Sequence, residues 1–141
     1  MIETTITIVA IKENEMNTVI WILQGLIAVM FAMAGFMKIS KPKEELKKQS
    51  SMAWVSDVSS SNLKMIGTLE LFAAIGLIVP QLTGIQGWLT PFAAVGLAFT
   101  MIGALALHLR RGDGPQALVP DVILLLIAAF VAYGRFVLVP A

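Results

Sequence analysis

Four ionisable side chains stand in otherwise apolar surroundings, at positions where their types could do chemistry: Lys38, Glu70, His108 and Asp121. Glu70 sits in the middle of MIGTLELFAAIGLIVP at 65–80, a segment with no other charge. In a water-poor setting a carboxylate beside a lysine or histidine has two uses. It can hold a fixed ion pair between helices, or it can exchange a proton with a bound polar group while the cation donates to a carbonyl oxygen. Glu70, Asp121 and His108 are also ligand types that metals accept, but their spacing carries no metal signature. Gln24 and Arg135 form a second polar position in apolar sequence. The chain has no cysteine, which excludes a disulfide framework, a thiolate metal site, an iron–sulfur cluster and thiol redox chemistry. Its single histidine excludes a bis-histidine haem within one copy.

The elements that must carry these residues follow from hydropathy. Of 141 residues, 57% are hydrophobic and 13% charged, against about a quarter charged in an ordinary soluble domain. Thr18–Met37 and Gly87–Leu107 are free of charge; Leu63–Pro80 holds Lys64 and Glu70, and Leu118–Val139 holds Asp121 and Arg135. About 20 apolar residues cross a hydrocarbon core of roughly 30 Å, and a backbone in lipid must satisfy its own hydrogen bonds. The expected fold is therefore all-α, a transmembrane four-helix bundle with spans at 17–39, 62–80, 87–109 and 118–139.

Basic residues orient the bundle. Lys38, Lys41, Lys43, Lys47, Lys48 and Lys64 lie between the first two spans, with Arg110 and Arg111 between the last two. Only Lys12 and Arg135 fall on the other side. This asymmetry puts both basic loops in the cytoplasm and both termini on the non-cytoplasmic side of the cell membrane. The net charge of +1 gives no reason to expect nucleic acid.

A helix face that meets a neighbour repeats at spacings of three and four. The first span then presents Gln24, Ala28, Phe31, Gly35 and Lys38; the second presents Leu63, Gly67, Glu70, Ala74, Leu77 and Gln81. The third presents Ala94, Ala98, Met101, Leu105 and His108, and the fourth Asp121, Leu125, Ala128, Ala132 and Arg135. Every such face includes the small residues that let helices approach closely in lipid. Lys38, Glu70, His108 and Asp121 all fall in the half of the bundle nearest the basic loops, around one expected cavity. Arg135 stands in the opposite half, with Gln24 as its expected partner.

Two segments lie outside the spans. Pro42 stops the first helix, and 40–61 reads as a cytoplasmic interfacial loop, or as a lid over the mouth of the bundle. The loop is the first reading; the lid is suggested by the segment's length, because connections in compact bundles are short. Residues 1–15 lack the basic start of a signal peptide and read as a tail outside the fold, with Met16 as the natural start and 16–141 as a single domain.

The stretches AGFMKIS at 34–40, WVSD at 54–57, IGTLELFAAIGLIVP at 66–80, WLTPFAAVGLAFTMIGALALHLRRGD at 88–113 and VAYGRF at 131–136 resemble the DoxX-like membrane proteins, in the family order. The resemblance implies a four-helix integral membrane protein with Lys38, Glu70, His108 and Arg135 at the family's characteristic polar positions. Asp113 replaces an expected glutamate and Asp121 a more usual asparagine; the second change makes the site more acidic. The family takes its name from a small subunit associated with a quinol-oxidising or thiosulfate:quinone respiratory complex.

Three functions compete at this point. The first is an accessory or partner subunit without catalysis of its own, in a redox- or stress-linked membrane complex or as a homo-oligomer. The second is a binding or redox site for a quinone or other lipophilic small molecule in the polar cavity. The third, a proton-coupled small transporter, fits least: small multidrug exporters are expected to carry their acid in the first helix and little lysine–arginine asymmetry. No catalytic, haem, flavin or copper motif is found, and no cofactor is required; a quinone is the one the cavity would suit.

Overall fold

The computed structural model describes residues 1–141 and is built from helices alone. Helix α1 runs Ile2–Ser40, the short α2 runs Lys43–Leu46, and a 3-10 segment occupies Ser50–Asp57. Helices α3 (Ser60–Thr83), α4 (Leu89–Arg111) and α5 (Pro115–Tyr133) follow, and α5 ends in a π turn at Gly134–Leu138. Four of these helices, α1, α3, α4 and α5 with its π turn, are long and apolar enough to cross a membrane. Their outward faces carry large apolar side chains such as Phe36, Leu69, Phe72, Phe99 and Leu126. Water would penalise that surface by the hydrophobic effect, whereas lipid does not.

The boundaries follow local chemistry. Pro42 follows Lys41, whose backbone is extended, and the last N–H of α1 to bond backwards is that of Lys41, to Met37. Ser59 caps α3 by accepting a hydrogen bond from the backbone N–H of Asn62. Gly84 and Gly112 close α3 and α4 with positive φ, the left-handed conformation that glycine adopts without a Cβ clash.

Helix α1 departs from expectation at its start: it begins at Ile2 rather than near residue 17. Residues 1–15 are exposed, and from Ile2 onward they are continuously helical with the span that follows. The rich supply of charged and threonine side chains there does not break the backbone pattern, because no proline or glycine interrupts it. At about 1.5 Å per residue, the 39 residues of α1 exceed a roughly 30 Å hydrocarbon core nearly twofold.

The buried stripe of α1 is Ile20, Gln24, Ile27, Ala28, Phe31, Gly35 and Lys38; that of α3 is Leu63, Gly67, Glu70, Ala74, Leu77 and Pro80. Gly35 and Gly67 meet where α1 crosses α3. A β-carbon on Gly35 would stand 2.5 Å from the Gly67 carbonyl oxygen, and one on Gly67 would stand 2.8 Å from that of Gly35. No other residue type allows that approach. Gly134, at the start of the π turn, faces the side chain of Ile20 on α1, whose tip an added β-carbon would meet at 2.6 Å. The central core joins these helices through Ile20, Ile27, Phe31, Leu77, Leu97, Met101 and Val131. A second small core of Leu46, Met52, Val55 and Leu63 pins the 3-10 segment onto the start of α3.

Candidate functional site

The site is assembled at the lysine-rich end, where all four spans and the 3-10 segment contribute. Lys38 occupies the last turn of α1, and Glu70 the third turn of α3. The glycine crossing places their backbones close enough for Lys38 Nζ to lie 2.5 Å from Glu70 Oε2. Both side chains are more than nine-tenths buried, at 7% and 4% exposure. Lys38 also faces the Trp54 ring, 5.9 Å from its centroid, so the 3-10 segment roofs the pair with an aromatic face.

His108 occupies the last turn of α4. The left-handed Gly112 turns the chain back, and the backbone N–H of Asp113 bonds to the His108 carbonyl. That fold-back sets Asp113 Oδ2 2.6 Å from His108 Nδ1. An ionised carboxylate accepts only, so this bond assigns a proton to Nδ1. On the other side of the ring, Nε2 lies 3.6 Å from Asp121 Oδ2. That oxygen is buried without a hydrogen-bond partner. Arg111 Nε also donates to Asp113, at 3.0 Å, and Arg111 Nη1 bonds Asp57 at the end of the 3-10 segment. The His108 and Arg111 donors hold the Asp113 carboxyl below the usual aspartate range, the His108 hydrogen bond being the larger effect.

Lys38, Glu70, His108 and Asp121 all line one cavity of about 900 Å³. Its apolar walls come from residues such as Met30 and Phe31 of α1, Ile66 of α3, Met101 and Leu107 of α4 and Leu124 of α5. Ser50 to Trp54 cover it. The structure thus joins the four residues around one space but divides them into two pairs, with Glu70 held by Lys38 and Asp121 facing His108. A cavity of this kind can take an elongated apolar molecule and present donors and acceptors to its polar end.

The second polar position lies at the other end of the bundle. Arg135 Nε donates to Gln24 Oε1 at 2.9 Å, Gln24 Nε2 donates to the Leu77 carbonyl, and Arg135 Nη1 donates to Asn17 Oδ1 at 2.8 Å. Here a glutamine–arginine bridge ties α1, α3 and α5 together.

Sequence reasoning left out several participants. Asp113 counted only as a departure from a family pattern, although it fixes the His108 ring. Asp57 and Arg111, which join the roof to α4, are 54 residues apart in sequence and give no periodic signal. Asn17 was within reach: it lies seven residues before Gln24 and therefore on the same face of α1.

The sequence matches the model of the DoxX-like family over residues 22–131, most of the chain and all four cavity residues. No curated protein and no solved structure matches it. A family match over this length, with four membrane-length apolar helices, makes the chain a multi-pass membrane protein that belongs to the DoxX-like family.

Proposed function

We propose that this protein binds a quinone or a similar lipophilic molecule, with its carbonyl-bearing head in the cavity at the lysine-rich end. The observation that carries this reading is the single cavity of about 900 Å³ where apolar walls converge on Lys38, Glu70, His108 and Asp121. Its volume falls within the roughly 300–1,000 Å³ of small-molecule sites. Lys38 has donors beyond the one it gives Glu70, so a ligand carbonyl oxygen can accept from it without breaking the pair. Asp121 Oδ2, buried and unpartnered, suits a ligand hydroxyl. His108 Nε2 stands beside it to exchange a proton.

Trp54 lines the cavity and reports occupancy. Titrating the detergent-purified protein with a short-chain quinone should quench its fluorescence saturably. Glu70→Gln, which removes the anion holding Lys38, should weaken binding about tenfold. Unchanged affinity in that variant, or quenching without saturation, would count against the site.

The outward faces of the spans favour a second reading, in which the protein is a non-autonomous subunit of a redox- or stress-linked membrane complex. Most of its mass lies in membrane-length helices, and the exposed extension of α1 carries Ile2, Ile6 and Val9 on one side. Purification in mild detergent should then bring down a stoichiometric membrane partner, or a second copy of the chain. Repeated recovery of the bare monomer would oppose this reading.

A further inference from the structure

Arg135 is 1% exposed, and none of the ion pairs in the structure includes it. Two of its nitrogens bond neutral amides, those of Gln24 and Asn17, and its guanidinium carbon lies 5.1 Å from the Trp21 ring centroid. Nη2 is buried with no partner at all. A guanidinium cannot shed its proton in a protein, and a cation in a membrane bundle is disfavoured unless an anion or several dipoles offset it. Amides and one indole face supply dipoles but no charge.

A small pocket adjoins Arg135 through Asn17. Asn17, which holds Nη1, also lines a surface pocket of about 220 Å³ together with Ala10, Glu13, Asn14 and Val139, so that Asn17 stands between this pocket and Arg135. Two asparagine amides can turn their NH₂ groups toward an oxyanion. The π turn at Gly134–Leu138, closed by the Val139 N–H on the Gly134 carbonyl at 2.8 Å, brings both Gly134 and Arg135 inward. Such turns recur at functional sites. Trp21 and Trp88 lie at this end, as aromatic residues do at the headgroup level. Planar guanidinium forks match the oxygens of phosphate.

We propose that Arg135, with Asn17, forms a binding site for a phosphate-type oxyanion at the terminal end of the bundle, separate from the cavity near Lys38. The phosphate comes either from a phospholipid headgroup in that leaflet or from free solution. Glu13 opposes entry by like charge, and so tunes the affinity.

Trp21 faces the guanidinium at 5.1 Å and serves as the reporter. The test uses the full chain with Trp54→Phe and Trp88→Phe, purified in a neutral detergent and titrated separately with short-chain phosphatidylglycerol and with inorganic phosphate. A saturable change in Trp21 emission with the lipid alone assigns the headgroup; a saturable change with inorganic phosphate assigns the free anion. Arg135→Gln should weaken the response about tenfold or more, Asn17→Leu should weaken it, and Glu13→Gln should strengthen it. No saturable change with either probe, or an undiminished response in Arg135→Gln, overturns the proposal. Should Arg135→Gln fail to fold, the other two variants decide: affinities unchanged in both overturn it as well.

Discussion

Lys38 and Glu70 meet at 2.5 Å across the contact of Gly35 with Gly67: on these antiparallel helices Lys38 packs beside Gly67 and Glu70 beside Gly35. The ion pair and the glycine crossing are one construction. Without the glycines the helices stand too far apart for a short contact, and without the pair the crossing holds two unmatched charges in a bundle core.

Breaking the pair on one side should therefore be costly. Glu70→Gln leaves the Lys38 ammonium without its anion, and the loss expected for a buried pair is about 3–5 kcal/mol, here toward the lower end because the amide oxygen still accepts. Reversible unfolding in mixed micelles measures it. Lys38→Met combined with Glu70→Leu should recover most of the loss, since an apolar pair carries no desolvation penalty. An equal loss in the single and double variants would show that the carboxylate matters for some other contact.

Gly35→Ala should destabilise by about 1–3 kcal/mol through overpacking, because its β-carbon would run into the backbone of α3. Gly25→Ala meets nothing within 4 Å and should be neutral or slightly stabilising by helix propensity. The same unfolding measurement compares the two, and equal effects would remove the crossing from the account.

The roof over the cavity rests on a small separate core and on the Asp57–Arg111 contact. Leu46→Ala should cost about 2 kcal/mol or more locally, which raises hydrogen exchange across 43–58 about thirtyfold while leaving the centres of α1 and α3 protected. Asp57→Asn should have a much smaller effect, since Asp57 is half exposed. Exchange rising uniformly through the bundle would mean that the roof is no independent unit.

Acid should loosen the turn after α4 late. A carboxyl whose pKa is lowered by folding contributes stability at pH values above its unfolded pKa and loses it as pH falls through the folded one. Asp113 is such a group, held down first by His108 and then by Arg111. Protection of the backbone amides of Gly112 and Asp113, which bond to Leu109 and His108, should stay flat from neutral pH down to about pH 4 and fall only below it. Asp113→Asn should remove that acid transition. A loss of protection between pH 7 and 5 would contradict the assignment.

The orientation read from the basic residues can be tested cleanly because the chain has no cysteine. A cysteine at Ser51 should react with a membrane-impermeant maleimide only in disrupted cells, whereas one at Gln86 should react in intact cells. The reverse pattern would place the lysine-rich end outside.

What the sequence made legible was whatever repeats along a helix. Spacing of three and four picked out Gln24, Ala28, Phe31, Gly35 and Lys38 on α1, and each is buried in the structure. On α3 the same rule reached Glu70 and Gly67 but chose Gln81 where Pro80 is the buried residue, because one step of register separates them near the helix end. Contacts that depend on chain reversal were not legible. Asp113 reaches His108 through the left-handed Gly112, and Asp57 reaches Arg111 across the roof; neither has a period. The continuation of α1 to Ile2 was also missed, since its apolar residues are interleaved with threonine and charged side chains and pack against no other helix.

The central claim is that the cavity at Lys38, Glu70, His108 and Asp121 holds a lipophilic ligand. An experimental density map of the protein extracted with its native lipids tests this most directly. The account predicts elongated density beneath Trp54, with its polar end within hydrogen-bond distance of Lys38 or Asp121 and its tail running past Met30 and Leu124. A cavity collapsed by side-chain packing, or filled only by water while Lys38 and Glu70 stay paired, would contradict it.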